Sequence, residues 1–166
     1  MRHELHPLRS FFRASGYLLT GRLHFARQHL GERLTMVDGR QFTVFRHLIV
    51  APNSNIPEPG AIFCVRFRLV GMSSAANKVF SWLPVLFFTG LPGFRAKLWG
   101  VAADSGEFLG LYAWQTLADA QNYASSFAMR FMMRRATPGS VSHKILSTKT
   151  EIGAKWQALL YEIRRL

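Results

Sequence analysis

Residues 61–147 predict an α+β domain with the element order β-α-β-β-α-β, and three observations carry that reading. Ala61–Leu69 alternates, with Ala61, Phe63, Val65, Phe67 and Leu69 all apolar on one side and Cys64, Arg66 and Arg68 on the other. Phe94–Ala102 and Phe108–Gln115 flank an Asp104-Ser105-Gly106 turn, the signature of a hairpin. A helix-type stretch follows the first strand and another follows the hairpin. A strand at Val141–Leu146 completes the split, ferredoxin-like arrangement. Both helices cover one sheet face, and the purely apolar side of the first strand suits that role. The opposite face then carries Cys64, Arg66 and Arg68, and two such faces packed together would enclose a dimeric α/β barrel.

Each element has its own signal. In residues 5–30, Leu5, Leu8, Phe12, Leu19, Leu23 and Leu30 approximate a helical stripe interspersed with Arg9, Arg13, Arg22 and Arg27, while Gly16 and Gly21 break or loosen it. Asp38-Gly39 marks a turn before the strand-like F-T-V-F-R-H-L-I-V. Residues 51–60, with three prolines and two asparagines, read as a loop and as the one compositional boundary. Ser73 or Ser74 caps a helix over 74–89 that ends at Gly90, Pro92 and Gly93. Thr116 caps another over 117–135, stopped by Pro138 and Gly139. Residues 150–165 form a terminal helix whose stripe of Ile152, Trp156, Leu159, Leu160 and Ile163 suits docking. The organisation is a basic extension (1–57), a ferredoxin-like domain (58–149) and a C-terminal docking helix (150–166).

The chain has 166 residues, 49% of them apolar, enough to bury a core in one domain. Its net charge of +12 divides as +5, +6 and +1 over the three segments, so it is not confined to a tail. Such a chain attracts anionic partners. No zinc-finger, RRM or helix-turn-helix pattern accompanies the charge, and a nucleic-acid partner is not expected. One cysteine, Cys64, excludes an intrachain disulfide and a thiolate metal cluster, and fits a cytoplasmic location. His24 and His29, five apart, fall on different helix faces, and no histidine pair joins a carboxylate at ligand spacing, so no metal is expected. No signal peptide is expected. The apolar run Val79–Leu91 is too short to span a bilayer and contains Pro84. The basic N-terminal helix offers a peripheral membrane contact as an alternative to packing on the domain or a partner.

Candidate site residues come from cations and aromatics brought together on strands. Arg66 and Arg68 share a face and could clamp an anion. Lys97 and Trp99 share one face of the second strand, with Arg95. A buried lysine loses basicity and can assist deprotonation or hold an enolate. Tyr112 and Trp114 share a face of the third strand, for stacking on a flat ligand, and the hairpin register decides whether that face lines the cavity or the core. His143, the one histidine within 61–147, is the candidate general base. The basic stretch R-F-M-M-R-R (130–135) is either a solvated helix end or a phosphate or lipid contact.

P-G-F-R-A-K-L-W (92–99), G-L-Y-A-W (110–114) and the helix start L-A-D-A-Q-N-Y, ending in Tyr123, resemble the mono-oxygenase family with dimeric α/β-barrel fold, which is related to the antibiotic-biosynthesis mono-oxygenases. The resemblance spans about 61–147. It implies a homodimer and oxidation of a hydrophobic aromatic or polyketide-type molecule by O₂, without metal, haem or flavin. In that chemistry the deprotonated substrate supplies the electrons, and the protein supplies a base, cationic stabilisation and a dry pocket. For that activity the residue reading predicts His143 and Lys97 in catalysis and Arg66, Arg68, Trp99, Tyr112 and Trp114 in substrate binding. A non-catalytic binding protein for a hydrophobic or anionic metabolite is the alternative.

Overall fold

The computed structural model describes residues 7–51, 58–71, 73–82 and 85–161. In chain order it contains α1 (Pro7–Leu19), β1 (Leu23–Phe25), β2 (Arg33–Thr35), β3 (Gln41–Val50), β4 (Ala61–Phe67), α2 (Ser74–Phe80), α3 (Val85–Phe88), β5 (Phe94–Val101), β6 (Phe108–Trp114), α4 (Leu117–Ala124), α5 (Phe127–Met133), β7 (Ser142–Ser147) and α6 (Glu151–Tyr161). The strands form one sheet of order β1-β3-β5-β6-β4-β7, with β2 also paired to β3. Every pair is antiparallel. Within 61–147 the order β5-β6-β4-β7 is the ferredoxin-like arrangement that the pattern predicts. The N-terminal extension adds β3 to the edge of β5, so its sheet is continuous with the domain.

The two sheet faces bury different cores. Ala61, Phe63 and Val65 of β4 pack with Trp99, Tyr112 and Trp114 beneath Val85 and Phe88 of α3, Ala120 and Tyr123 of α4, and Met129 of α5. The other face gathers Ile62, Leu98, Leu109 and Leu111 with Trp156 and Leu160 of α6. The sheet stays open and does not close into a barrel within the chain. Part of the face predicted to meet water or a second subunit is therefore covered by the chain's own terminal helix. There the buried ring of His47 lies with Nε2 3.0 Å from the Leu160 carbonyl. Burial lowers the pKa of His47 to about 4, so the ring is neutral at physiological pH and donates to that carbonyl.

Several boundaries differ from the periodic pattern, each for a local reason. The helix predicted over 5–30 stops at Leu19. Gly21 takes φ +64°, and Leu23–Phe25 then pairs with Leu48–Val50 instead of continuing the helix. The helix predicted over 74–89 is two short helices; Leu83 and Pro84 between them lie outside the described residues. The helix predicted over 117–135 divides at Ser125–Ser126, because Ser126 acts as a fresh N-cap accepting from the Met129 N–H. Upstream, Thr116 and Asp119 form the reciprocal capping box that starts α4. Ile163 of the predicted terminal stripe and most of the 51–60 loop lie outside the described residues.

α1 packs on α3 at close range. A Cβ at Gly90 would lie 1.7 Å from the Ser10 carbonyl oxygen, so only glycine permits this approach. Arg13 donates to the Gly90 carbonyl from the same helix (3.3 Å).

Candidate functional site

The site grows from the row of residues that the strand register aligns. Leu48, Lys97, Tyr112 and Phe63 are successive cross-strand partners on β3, β5, β6 and β4, all on the helix-covered face. The next row reads Arg46, Trp99, Gly110, Val65 and His143. Gly110 has a steric reason: a Cβ there would lie 2.9 Å from the Tyr112 ring, which leans across it.

Lys97 is the centre of the arrangement. Its side chain is buried, and Nζ lies 4.2 Å from the ring centroid of Phe88 and 4.3 Å from those of Trp99 and Tyr112. Burial, and secondarily the Arg46 charge, push its pKa well below the usual lysine value. The three ring faces offset part of that penalty. Arg46 reaches the same region from β3. Its guanidinium donates to Ser81 Oγ (2.6 Å) and the Lys78 carbonyl (2.8 Å) and lies 3.9 Å from the Trp82 ring centroid.

Tyr112 and Tyr123 complete the polar equipment. Tyr123 OH donates to Tyr112 OH at 2.8 Å, and both rings are buried. Desolvation raises both phenol pKa values, so both groups stay protonated at neutral pH. Two hydroxyls share two protons and one mutual hydrogen bond, so one O–H remains to donate, whichever way the mutual bond runs. Lys97, Trp99, Tyr112 and Tyr123 line a cavity of about 70 Å³ whose outer wall includes Phe131, Met132 and Arg135. Among the described residues, no carboxylate lines it. That volume admits the edge of one ring; pockets for drug-sized ligands run to roughly 300–1,000 Å³. A polycyclic ligand would need α5 or α3 to move outward.

The structure thus brings Lys97, Trp99 and Tyr112 together and distributes the remaining candidates elsewhere. Trp114 is buried two residues from Tyr112, stacked near it and 5.0 Å from Tyr123, and it supports the tyrosine pair without lining the cavity. Arg66 lies on the α6 side of the sheet and is bonded to Asp38. It lines a separate groove of about 350 Å³ with Cys64, Lys144 and Trp156. Cys64 faces that groove, and burial raises its pKa to about 11, leaving an unreactive thiol. Arg68 is exposed beyond the end of β4 and joined through its backbone to Ser140 Oγ. His143 is exposed on edge strand β7, its ring stacked on Phe63 at 5.3 Å and three strands from Trp99. Arg95 does not share the Lys97 face as simple alternation predicts, because a register shift falls between Phe94 and Ala96. It bonds to Gln115 Oε1 instead (3.0 Å).

Phe88 and Tyr123 are site residues that sequence reasoning missed, and so is Arg46. A bulge between Val44 and Arg46 turns it onto the Trp99 face, and nothing in F-T-V-F-R-H-L-I-V marks that bulge. Among the described residues, no three His, Cys, Asp or Glu side chains group as a metal site would require.

Fold and site together define a ferredoxin-like α+β domain with a cationic, aromatic-walled pocket between sheet and helices. The same fold is present in an uncharacterized ferredoxin-fold protein of Listeria monocytogenes 4b F2365 related to antibiotic biosynthesis monooxygenases, with a TM-score of 0.51 and 13% identity over 80% of this chain and 87% of that chain. A heme-degrading enzyme of Listeria monocytogenes aligns over 66% of this chain and 72% of that chain (TM-score 0.47, 16% identity). A monooxygenase-like protein of Listeria innocua aligns over 66% and 65% (TM-score 0.47, 13% identity). At these identities the likeness is one of fold, and the fold correspondence rests on the first of the three. No family model matches the chain, and no curated protein sequence matches it.

Proposed function

We propose that the chain is a monooxygenase-like enzyme acting on a flat, acidic aromatic molecule, which it binds as a phenolate or enolate against Lys97. The observation that carries this reading is a buried amine ringed by three aromatic faces, with a second cation near and no carboxylate in the pocket. An anionic oxygen supplies what that pocket lacks.

A lysine of lowered pKa holds a fraction of neutral amine, which takes the proton of a phenol or enol and becomes the counter-ion of the resulting anion. The spare hydroxyl of the Tyr112–Tyr123 pair donates to the same oxygen and favours the charged form as it develops. The electron-rich anion then passes an electron to O₂, and the radical pair combines into a peroxide. For an activated methylene, Lys97 returns its proton to the peroxide; its neutral amine then takes the remaining C–H proton as the O–O bond breaks, the C–H electron pair closes the ketone, and the departing hydroxide receives that proton and leaves as water. The carbon supplies all four electrons. No group beyond substrate and oxygen takes part in that balance.

The roles are Lys97 as base and counter-ion, Tyr112 and Tyr123 as donor pair, Trp99 and Phe88 as ring walls, and Arg46 as the second cation. Dimerisation, which the resemblance implies, remains part of the proposal, with the open sheet edges and the α6 side as its available surfaces. The cavity volume favours monocyclic phenols and enols as first substrates over polycycles.

Oxygen uptake with a panel of small phenols and enols is the test. Turnover is expected in the wild type, with a fall of about 10- to 100-fold in the double variant Tyr112→Phe/Tyr123→Phe, which leaves the pair no hydroxyl to donate, the range for losing a hydrogen bond to a charged group. Tight binding of such compounds without oxygen uptake would replace the enzyme with a binding protein for the same ligands. Absence of both would overturn the assignment of the pocket.

A further inference from the structure

The helix layer above the pocket has an unusual charge distribution. No Asp or Glu occurs in residues 7–31, in 59–103 or in 120–150, so α1, α2, α3 and α5 contain no acid, and α4 contains only the capping Asp119. The same helices carry Arg9, Arg13, Lys78 and Arg130, and Arg134 and Arg135 follow α5 directly. Arg13 and Arg130 donate to the backbone carbonyls of Gly90 and Ser125, neutral acceptors that leave their charge in place. Among the described residues, the carboxylate–arginine pairs lie on the other side of the molecule, where Asp38 and Glu107 meet Arg40 and Arg66.

An aromatic ridge crosses this basic layer. Phe12 is 72% exposed and lies 6.1 Å from Phe11, which lies 6.2 Å from Phe87, which lies 6.2 Å from Phe127. One helical turn beyond Phe127, Phe131 is 41% exposed and forms part of the pocket wall. The ridge therefore runs from the outer face of α1 over α3 to the opening beside Phe131 and Arg135. Leu8, 62% exposed, extends it at the α1 end. A single exposed phenylalanine needs no explanation, but a continuous apolar track within an acid-free surface marks an interaction site.

We propose that this helix layer docks on an anionic membrane surface and that the ridge leads a membrane-dissolved ligand to the Lys97 pocket. Two features favour a bilayer over a protein partner. Apolar side chains framed by arginines match the acyl–headgroup boundary, with rings below and guanidinium groups at the phosphate level. The absence of acid across three separate stretches of sequence serves attraction to a uniformly negative surface, whereas a protein partner of mixed charge would be met by mixed charge. No helix among the described residues is long and apolar enough to cross a membrane, so the contact is interfacial. The second half of the proposal rests on the pocket reading above; the first half does not.

The experiment is co-sedimentation of the full chain with vesicles of phosphatidylcholine alone or mixed equally with phosphatidylglycerol, at low and high salt. Leu8→Asp/Phe12→Asp serves as the variant, because both side chains are exposed on α1, and its circular dichroism and urea midpoint are compared with the wild type. Binding is expected to the phosphatidylglycerol vesicles, to weaken with salt, and to fall by about tenfold or more in the variant. Absence of binding, or equal binding by variant and wild type, overturns the membrane surface. A native mass showing a dimer in the wild type and a monomer in the variant also overturns it, by assigning the ridge to a second copy of the chain. Binding of a small water-soluble phenol without vesicles, measured on both proteins, keeps the two ideas separable. The variant is expected to bind the phenol like the wild type; if neither protein binds it, the pocket reading fails while the docking result stands. In the presence of phosphatidylglycerol vesicles, uptake of a lipid-soluble phenol into the pocket is expected to be faster for wild type than for variant, and equal rates would overturn the delivery role.

Discussion

Lys97→Met is expected to give a protein that is more stable than the wild type and that has lost its affinity for acidic aromatic ligands. Methionine fills nearly the same volume and keeps favourable contact with the surrounding rings. It removes a buried amine whose charge burial disfavours. Replacing buried ionic groups by apolar ones of similar volume stabilises proteins by roughly 1–4 kcal/mol in favourable cases. The pH dependence identifies the cause. A lysine whose pKa is lowered on folding binds fewer protons in the folded chain than in the unfolded one between its folded pKa and the usual 10.5. Wild-type stability should therefore rise with pH through that interval, and the full cost of the charge should be present below the folded pKa. The variant should lack this rise, and the two stability curves should converge toward alkaline pH. Urea unfolding of both proteins across neutral to alkaline pH measures it, and parallel curves would mean that Lys97 is not buried as described. Ligand affinity should fall by about 10- to 100-fold, the equivalent of one hydrogen bond to a charged group.

Phe63→Ala should have the largest effect on folding. Phe63 is fully buried, and its ring meets Tyr123 at 5.0 Å, Tyr112 at 5.8 Å and His143 at 5.3 Å. It also sits on β4, between the strands β6 and β7 that β4 pairs with. Truncation leaves a cavity beneath the tyrosine pair and costs about 3–5 kcal/mol, a large share of the roughly 5–15 kcal/mol that holds an ordinary domain together. The urea midpoint should fall with an unchanged slope, and phenol binding should weaken as the pair loses its support. A shift below about 1 kcal/mol, the cost of a mild surface change, would show that this ring is not part of the core.

The fold was legible because its signals are local. Alternation in Ala61–Leu69, the Asp104-Ser105-Gly106 turn, the Thr116 cap and the Asp38-Gly39 turn each act over a few residues, and all survive in the structure. Simple alternation also put Lys97 and Trp99 on one face. What escaped was set by register and by distance along the chain. The apolar face of β4 pointed to the helix side, but whether Tyr112 and Trp114 joined Lys97 there depended on how the hairpin pairs. The pairing of Lys97 with Tyr112 makes them neighbours, and a register shift removes Arg95 from the same face. Arg46 arrives through a bulge in a strand far back in the chain, which no pattern near Lys97 could announce. His143 and Arg66 looked equivalent to Lys97 as polar residues on strands. The sheet order separates them, setting His143 on the edge strand and Arg66 on the α6 face.

The most direct test of the pocket is the absorption spectrum of a chromogenic phenol bound to the wild type and to Lys97→Met, at a pH about one unit below the phenol's own pKa. Lys97 and the tyrosine pair favour the anion, and each tenfold preference lowers an apparent pKa by about one unit. The phenol bound to the wild type should absorb as phenolate, and any phenol bound to the variant should absorb as the neutral form. A neutral spectrum in the wild type, or the same phenolate spectrum and affinity in both proteins, would contradict an anion site built around Lys97.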